Sequence, residues 1–264
     1  MSWRIATFNA NSIRTRLHVV LNWLQKHRPD ALCLQETKVQ DPDFPVDAFR
    51  ETGYQIVYHG QKSYNGVALA TLRPPDDVRI GFDDGEGETE ARILTARVDG
   101  IFIVNTYVPQ GREPDTEFFQ AKIRFFERLK RFFQRNFTLD SLLAWAGDFN
   151  VAPEPTDVFD PDRLRGHVGF HPDEHRALGQ VKDWGFTDVF RKHNPDPKQY
   201  TFWDYRLPKS FERNLGWRLD HIWTSRALTD RSVGAWIDRE PRGSEKPSDH
   251  TFLIADFDLE RRTS

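Results

Sequence analysis

Ser141-Leu-Leu-Ala-Trp-Ala-Gly-Asp-Phe-Asn150 is the stretch on which the reading of this chain turns. A short apolar run stops at a glycine, and an acid and an amide follow at once. Such a run, closed by turn-forming residues, reads as a buried strand over Ser141–Gly147 that delivers Asp148 and Asn150 to its end. The same construction recurs upstream: Phe-Asn-Ala-Asn after Ile5, Gln35-Glu36 after Leu34, and Asn105-Thr-Tyr107 after Val104. Two later segments, Trp217-Arg-Leu-Asp220-His and Pro247-Ser-Asp249-His250, set acids within or just before apolar strands. Any one cluster is explained by the preference of Asn and Asp for turns and caps. Together, delivered to one rim, they point to a site.

Outward from that rim, strands are expected at Trp3–Asn9, Ala31–Gln35, Gln55–Tyr58, Gly66–Leu72, Ile93–Val98, Ile101–Asn105, Leu219–Thr224, Ser232–Asp238 and Thr251–Asp258. Ser12–His27 carries Ile13, Leu17, Val20, Leu21 and Leu24 at helical spacing, with Ser12 as cap and Pro29 beyond the end. Thr116–Arg135 presents Phe118, Phe119, Phe125, Phe126, Leu129, Phe132 and Phe133, an aromatic stripe that reads as core packing. Pro172–Trp184 is a third helix. Many strands with a few interposed helices predict an α/β fold, a four-layer sandwich of two packed mixed sheets with helices on both outer faces. No repeat, low-complexity tract or Gly/Ser-rich linker divides the chain, so residues 1–264 are expected to form one domain, and a monomer.

The 264 residues include 21 Phe, 8 Trp and 6 Tyr, ample for a large core. The single cysteine, Cys33, excludes an intramolecular disulfide and a thiol cluster for zinc, and flanking leucines mark it as a small core hydrophobe. The sequence has no charged-plus-apolar leader before Trp3 and no long apolar span, so a reducing cytosolic setting is expected. A net charge of −3 means that any surface for nucleic acid must be local. Two basic clusters exist, Lys122, Arg124, Arg128, Lys130, Arg131 and Arg135, and Arg206, Lys209, Arg213 and Arg218, and a helical charge run ordinarily reads as a solvated face.

Oxygen donors without thiols suit Mg²⁺, with Mn²⁺ able to substitute; such ions take one or two carboxylates and leave room for water and phosphate oxygens. Glu36 fits as the anchor. Phosphodiester hydrolysis also needs groups to activate water, to hold the nonbridging oxygens and to assist the leaving alkoxide. An Asp, an Asn, a Tyr and an acid-supported His can divide those tasks. Asp249 is too near in sequence to orient the His250 ring, whereas a distant acid such as Asp220 can bind one ring nitrogen and leave the other for phosphate. His18, His27, His59, His167, His171, His175, His193 and His221 lack such a context.

At this level the chain resembles the exonuclease III family of abasic-site endonucleases, within the endonuclease/exonuclease/phosphatase group. The resemblance runs end to end. Its carriers are Phe8-Asn-Ala-Asn11, Leu34-Gln-Glu-Thr-Lys38, Tyr58-His-Gly-Gln-Lys62, Asn65-Gly-Val-Ala68, Asn105-Thr-Tyr-Val-Pro-Gln-Gly111, Gly147-Asp-Phe-Asn150, Tyr200-Thr-Phe-Trp203, Gly216-Trp-Arg-Leu-Asp-His221 and Lys246-Pro-Ser-Asp-His250.

The resemblance implies a DNase I-like sandwich. It implies Glu36 as principal metal ligand, helped by Asn11 and by Asp249 through water, with Asn9 beside them. It implies that Asp148 either activates the attacking water or protonates the leaving group, that Tyr107, Asn150 and His250 contact the scissile phosphate, and that Asp220 orients His250. Many relatives carry an acid where this chain has Asn11, a departure that bears on a second metal. Phe202, Trp217 and Leu219 match an apolar pocket for a base-free deoxyribose, and Gln110, Arg112 and Arg206 lie in loops whose counterparts reach into DNA grooves.

The implied activity is Mg²⁺-dependent cleavage of double-stranded DNA 5′ to abasic sites, leaving a 3′ hydroxyl, with action at 3′ ends. The alternative is mainly a 3′→5′ exonuclease or a damaged-nucleotide incision enzyme. The same fold hosts phosphatases and secreted nucleases, but Gly-Trp-Arg-Leu-Asp and Leu-Gln-Glu-Thr-Lys favour the DNA-repair branch. A binding module that has lost catalysis is disfavoured because every catalytic position is filled.

Overall fold

Alternation along the strands explains the layers. In the computed structural model, which describes residues 2–87 and 90–260, Ile5, Cys33, Leu69, Ala144, Ala146, Leu253 and Ala255 face one way into a shared core. Their neighbours Ala6, Leu32, Leu34, Ala68, Phe252 and Ile254 face the other way, under the helix Ile13–His27. Trp145 and Trp223 likewise point outward, beneath the helices Glu117–Asn136 and Pro172–Lys182. A strand buried on both faces reads as a continuous apolar run, and this is why Ala31–Gln35 and Leu143–Asp148 lack alternation with polar residues.

In chain order the strands are β1 (Ser2–Asn9), β2 (Ala31–Gln35), β3 (Gln55–His59), β4 (Val67–Thr71), β5 (Asp76–Ile80) and β6 (Ile93–Val98). There follow β7 (Ile101–Tyr107), β8 (Leu143–Asp148), β9 (Thr187–Asp188), β10 (Asp220–Thr224), β11 (Ser232–Asp238) and β12 (Phe252–Asp258). They form two mixed six-stranded sheets, ordered β11-β12-β1-β2-β4-β3 and β5-β6-β7-β8-β10-β9. The parallel pairs β1/β2 and β7/β8 lie at the centres of the two sheets. With helices outside both, this is the four-layer α/β sandwich read from the sequence.

The departures have local causes. β5 escaped notice because all five of its residues are exposed and pair only along one edge. Ser12 occupies the cap position of the first helix but makes no side-chain cap; the helix start is instead held by Ser12 N–H on Glu36 O at 2.8 Å and Ile13 N–H on Thr37 O at 3.0 Å. Thr116 does cap its helix, accepting from Phe119 N–H at 3.3 Å. Phe118, read as core, is 50% exposed, with the Arg112 guanidinium 3.6 Å above its ring. Cys33 is fully buried between the sheets, and burial pushes its thiol up, away from reactivity.

The basic clusters also resolve differently from a plain solvated face. Arg128 and Arg131 pair with Asp84 at 2.8 Å and Glu86 at 2.9 Å, so that much of the helix's charge is spent on its own neighbours. Lys122 and Arg218 are fully buried. Arg218 grips Asp157 with two 2.8 Å contacts and Asp188 with a third, and donates to His221 Nδ1 at 2.9 Å. This network welds the segment before β10 to the short 3-10 turn at Pro155–Asp157.

Burial alone would raise the Asp157 carboxyl, but Arg218 and Arg191 outweigh it and hold it down at about 2. An unfolded carboxyl sits near 3.9. A depressed carboxylate contributes stability above its unfolded value and loses it as pH falls through the folded value. Stability should therefore decline between about pH 4 and pH 2, with about 2–3 kcal/mol attributable to this group. Asp157→Asn leaves a buried guanidinium under-paired and should cost about 3–5 kcal/mol in urea unfolding at pH 7, with a shallower acid limb. An unchanged midpoint would show that the network is dispensable.

Candidate active site

Strand register gathers the polar residues. β1 and β2 run parallel with Asn9 beside Gln35, so Asn11 and Glu36 emerge just past their ends on one rim. β12 runs antiparallel to β1 and brings Asp249 and His250, just before its start, to the same place. In the other sheet Tyr107 pairs with Asp148, and Asp220 lies opposite Asp148. Gly147, at φ 142, permits the close approach of β7, because an added Cβ would meet Thr106 O at 2.0 Å.

Asn9 spans the two sheets. Its Nδ2 donates to Glu36 Oε1 and to Asp148 Oδ2, each at 2.8 Å, and its Oδ1 accepts from Asn11 N–H at 2.9 Å. Asn11 Nδ2 donates to Asp249 Oδ1 at 2.9 Å. Asn11, Glu36, Lys38 and Asn150 all stand in left-handed backbone, at φ 43, 49, 53 and 52. Non-glycine residues hold that conformation at a cost, and surrounding structure must enforce it.

His250 Nδ1 lies 2.7 Å from Asp220 Oδ2, and its Nε2 lies 3.8 Å from Asp148 Oδ2. Burial would lower the imidazole, yet Asp220 and Asp148 raise it well above the ordinary histidine range. Burial raises Asp148, and the negative charges of Asp220 and Glu36 add to this against the pull of His250. The His250 ring thus lies between two buried carboxyls that favour its charged form. Burial, then Glu36 and Asp148, push the Tyr107 phenol up, so it remains a donor. Asn150 N–H donates to Asp148 Oδ1 at 2.9 Å, while its amide donates to Val108 O at 2.9 Å and Asp148 Oδ2 at 3.3 Å.

Burial works to raise Glu36, but the Lys38 ammonium overcomes it and keeps the carboxylate charged. Lys38 Nζ sits 2.7 Å from Glu36 Oε2 and 2.5 Å from Asn11 Oδ1. A cation is therefore already accommodated between these oxygens, and with Asp249 linked to Asn11 the donor set fits a hard metal ion. Asp148, Asp220 and His250 also bring ligand atoms within 4.8 Å of one another. His250 Nδ1 is already engaged by Asp220 at 2.7 Å and its ring is favoured in the charged form, which has no lone pair for a metal, so an acid-supported histidine accounts for that trio better.

Beside these groups opens a cavity of about 740 Å³, lined by Glu36, Tyr107, Asn150, Asp249 and His250 on one side. Phe202, Trp217 and Leu219 form an apolar wall, continuous with the cluster of Ala152, Val158 and Phe170. The Phe202 and His250 rings are 4.9 Å apart. Gln110, Arg112 and Arg206 line the mouth. There Gln110 Oε1 accepts from Arg112 N–H at 2.7 Å, Arg112 rests on Phe118, and Arg206 is tied to Asp204 at 2.7 Å.

Some supporting residues carried no role in the sequence reading. Ser248 Oγ donates to Asn9 O at 2.7 Å and accepts from His250 N–H at 3.2 Å, and Thr201 Oγ1 accepts from the N–H groups of Leu219 and Asp220 at 3.1 Å each. Ser and Thr in polar strand-end segments give no signal that separates such duties from ordinary turns.

The chain matches the Endonuclease/Exonuclease/phosphatase family over residues 6–250. It is 35% identical to the exodeoxyribonuclease III of Haemophilus influenzae, the match covering 96% of this chain and 99% of that protein. Its fold is similar to the structure of an AP endonuclease from Archaeoglobus fulgidus, with a TM-score of 0.94, 46% identity and coverage of 97% and 100%. It is also similar to the 3′ phosphatase NExo from Neisseria bound to product DNA hairpin, with a TM-score of 0.92, 34% identity and coverage of 97% and 100%.

Proposed function

Since this chain belongs to the endonuclease/exonuclease/phosphatase family, we propose that it is a DNA-repair nuclease that hydrolyses the backbone 5′ to abasic sites and also acts at 3′ ends. It works as a monomeric single domain in the cytoplasm. The observation that carries the reading is the convergence of Asp220, His250, Asp148, Asn9 and Glu36, hydrogen-bonded from Asp220 to His250 and from Asn9 to Asp148 and Glu36 with His250 Nε2 3.8 Å from Asp148, beside a cavity with an apolar far wall.

Glu36, with Asn11 and Asp249, would hold Mg²⁺, which when bound would supply positive charge to a phosphate oxygen and so lower the barrier to attack at phosphorus. Lys38, whose ammonium holds that corner through Glu36 and Asn11, would share Glu36 with the ion. His250, kept protonated by Asp220, presents Nε2 to a nonbridging oxygen and stabilises the charge that builds there. Tyr107 adds a phenolic donor to the same oxygens. Asp148, its carboxyl raised by burial, moves the proton, taking it from water or giving it to the leaving oxygen. Asn150 spends both amide hydrogens within the protein, which supports a role in aiming Asp148. Phe202, Trp217 and Leu219 receive a sugar that carries no base, and Gln110, Arg112 and Arg206 contact the flanking duplex.

Selectivity follows from unstacking. A nucleotide without a base has lost the pairing and stacking, worth a few kcal/mol, that oppose extrusion. The test is one preparation with Mg²⁺ on three duplexes: one with an abasic analogue, one with a recessed 3′ end, and one intact. Incision 5′ to the abasic analogue is expected, and Trp217→Ala should weaken that preference about tenfold more than it weakens trimming of the recessed end. Protein that trims the recessed end and leaves the abasic duplex uncut would retain only the exonuclease reading. That outcome draws its support from the likeness to the 3′-5′ exonuclease NExo from Neisseria meningitidis.

A further inference from the structure

Lys122 and Glu174 form an ion pair with neither side chain exposed, between the helices Glu117–Asn136 and Pro172–Lys182. Lys122 Nζ also donates to the backbone carbonyls of Asn150 at 2.7 Å and Gln110 at 3.2 Å. Glu174 Oε2 accepts from the N–H groups of Gly169 at 2.8 Å and His171 at 3.1 Å. Three loops thus end on one buried pair: the loop after β7, the loop after β8, and the loop before Pro172. Through Gln110, Asn150 and Gly169, all three line the cavity.

Each tie bears on a group the chemistry uses. Asn150 stands at φ 52 and donates to Asp148 through both its N–H and its side-chain amide, so a shift of the Asn150 backbone would disturb the Asp148 oxygens, one of which Asn9 also holds. Gly169 is wedged between Asn150 and Trp217, where an added Cβ would lie 3.5 Å from Asn150 O and 3.3 Å from Trp217 Cζ3. A buried ion pair is a poor source of stability, because desolvation cancels most of the attraction and apolar replacement of both partners is often neutral. Its value here lies in geometry.

We propose that the Lys122–Glu174 pair is a positioning device that locks the Asp148–Asn150 corner to the Trp217 wall, so that proton transfer and recognition of the base-free sugar are aligned by one tie. The inference rests on the roles given above to Asp148 and Trp217. Lys122 is a positioning residue: its ammonium contacts Glu174 and the backbone carbonyls of Gln110 and Asn150, and it does not line the cavity.

The test replaces both partners by apolar residues of similar size, Lys122→Met with Glu174→Leu, because either single change strands a buried charge. The double variant should fold with a lowered midpoint, because the carbonyls of Asn150 and Gln110 and the N–H groups of Gly169 and His171 lose their partners while no buried charge is stranded. Its kcat on the abasic duplex should fall about 10²-fold with KM within about threefold, as expected when reacting groups are misplaced. Preference for abasic over recessed 3′ ends should fall about tenfold at the same time. Hydrogen exchange should quicken about tenfold in 108–112, 149–152 and 167–171, with β8 and β10 unchanged. Should the double variant fail to fold, Glu174→Gln, which keeps the volume but strands the Lys122 charge and so lowers the midpoint further, must give the same kinetic and exchange pattern.

Arg124→Met, on the exposed face of the same helix, should change none of these. A double variant with kcat within about threefold of wild type, or loosening that spreads evenly through β8 and β10, overturns the proposal. Wild-type protein that cuts no abasic duplex would instead sink the function proposed above, and the exchange pattern would still decide whether the tie exists.

Discussion

Asp148→Asn should turn over at least about 10²-fold more slowly than wild type, while binding duplex DNA as before and melting no earlier. The expectation of undiminished stability is the unusual half. Asp148 lies opposite Asp220 across the strand pair, with Glu36 nearby, and burial together with those charges disfavours its ionised form. A neutral amide removes the repulsion. It also has one acceptor oxygen where the carboxylate uses both, on Asn150 N–H and on Asn9 Nδ2, which tempers the gain. Sites that hold like charges together give up stability for function, so the substitution that kills activity should leave folding intact.

His250→Ala should lose turnover to a similar degree for a different reason. It leaves Asp220 buried with one oxygen already unpartnered, at a cost to stability of about 3 kcal/mol. Adding Asp220→Asn should restore the stability and leave the rate low. Near-normal single-turnover rates in Asp148→Asn or in the repaired double variant would refute the corresponding role.

Glu36→Gln should abolish most metal-dependent cutting, and chelator should do the same to wild type. The amide keeps the bond to Asn9 available but removes the one full charge within the Glu36, Asn11 and Asn9 group. It also strands Lys38, whose ammonium is held by Glu36 and Asn11. Mg²⁺ titrated into the metal-free wild type should raise the melting temperature in proportion to the logarithm of its concentration, and the variant should show a flat response. Lys38 already supplies a cation to that corner, so the metal-free protein should stay folded. Undiminished cutting in excess chelator would overturn the metal assignment.

Much of the fold was legible because its central strands are apolar runs with abrupt polar ends. The runs Ala31–Gln35, Ile93–Val98 and Ser232–Asp238 coincide with observed strands, and for the first of them burial on both faces leaves no ambiguity over where the run stops. β5 was illegible because nothing about it is buried. The convergence of Glu36, Asp148, Asp220 and His250 could be anticipated from strand ends, but the bridging by Asn9 could not, since an amide after Phe8 serves equally well in a turn. Phe118 misled for the opposite reason: helical spacing assigns it to a face, and only the three-dimensional path of the Arg112 loop shows that the face's first turn overhangs the cavity. Arg218 and Lys122 look like surface charge in any linear reading. Their acidic partners, Asp157, Asp188 and Glu174, lie 30 to 61 residues away or across a helix pair, and no local pattern pairs them.

The two halves of the active constellation belong to opposite leaves of the sandwich. Asn9, Glu36, Asp249 and His250 come from one sheet; Tyr107, Asp148, Asn150 and Asp220 come from the other. Their spacing is therefore gauged by the thickness of the interleaf core, where residues such as Leu69, Ile103 and Leu253 lie. The rim works as the jaws of a caliper whose opening is set by side-chain volume well below it. A methylene added or removed in that layer can reach the reacting groups as a change of gap, even while the barrel of contacts beneath still holds, and catalytic rate becomes a ruler for core packing.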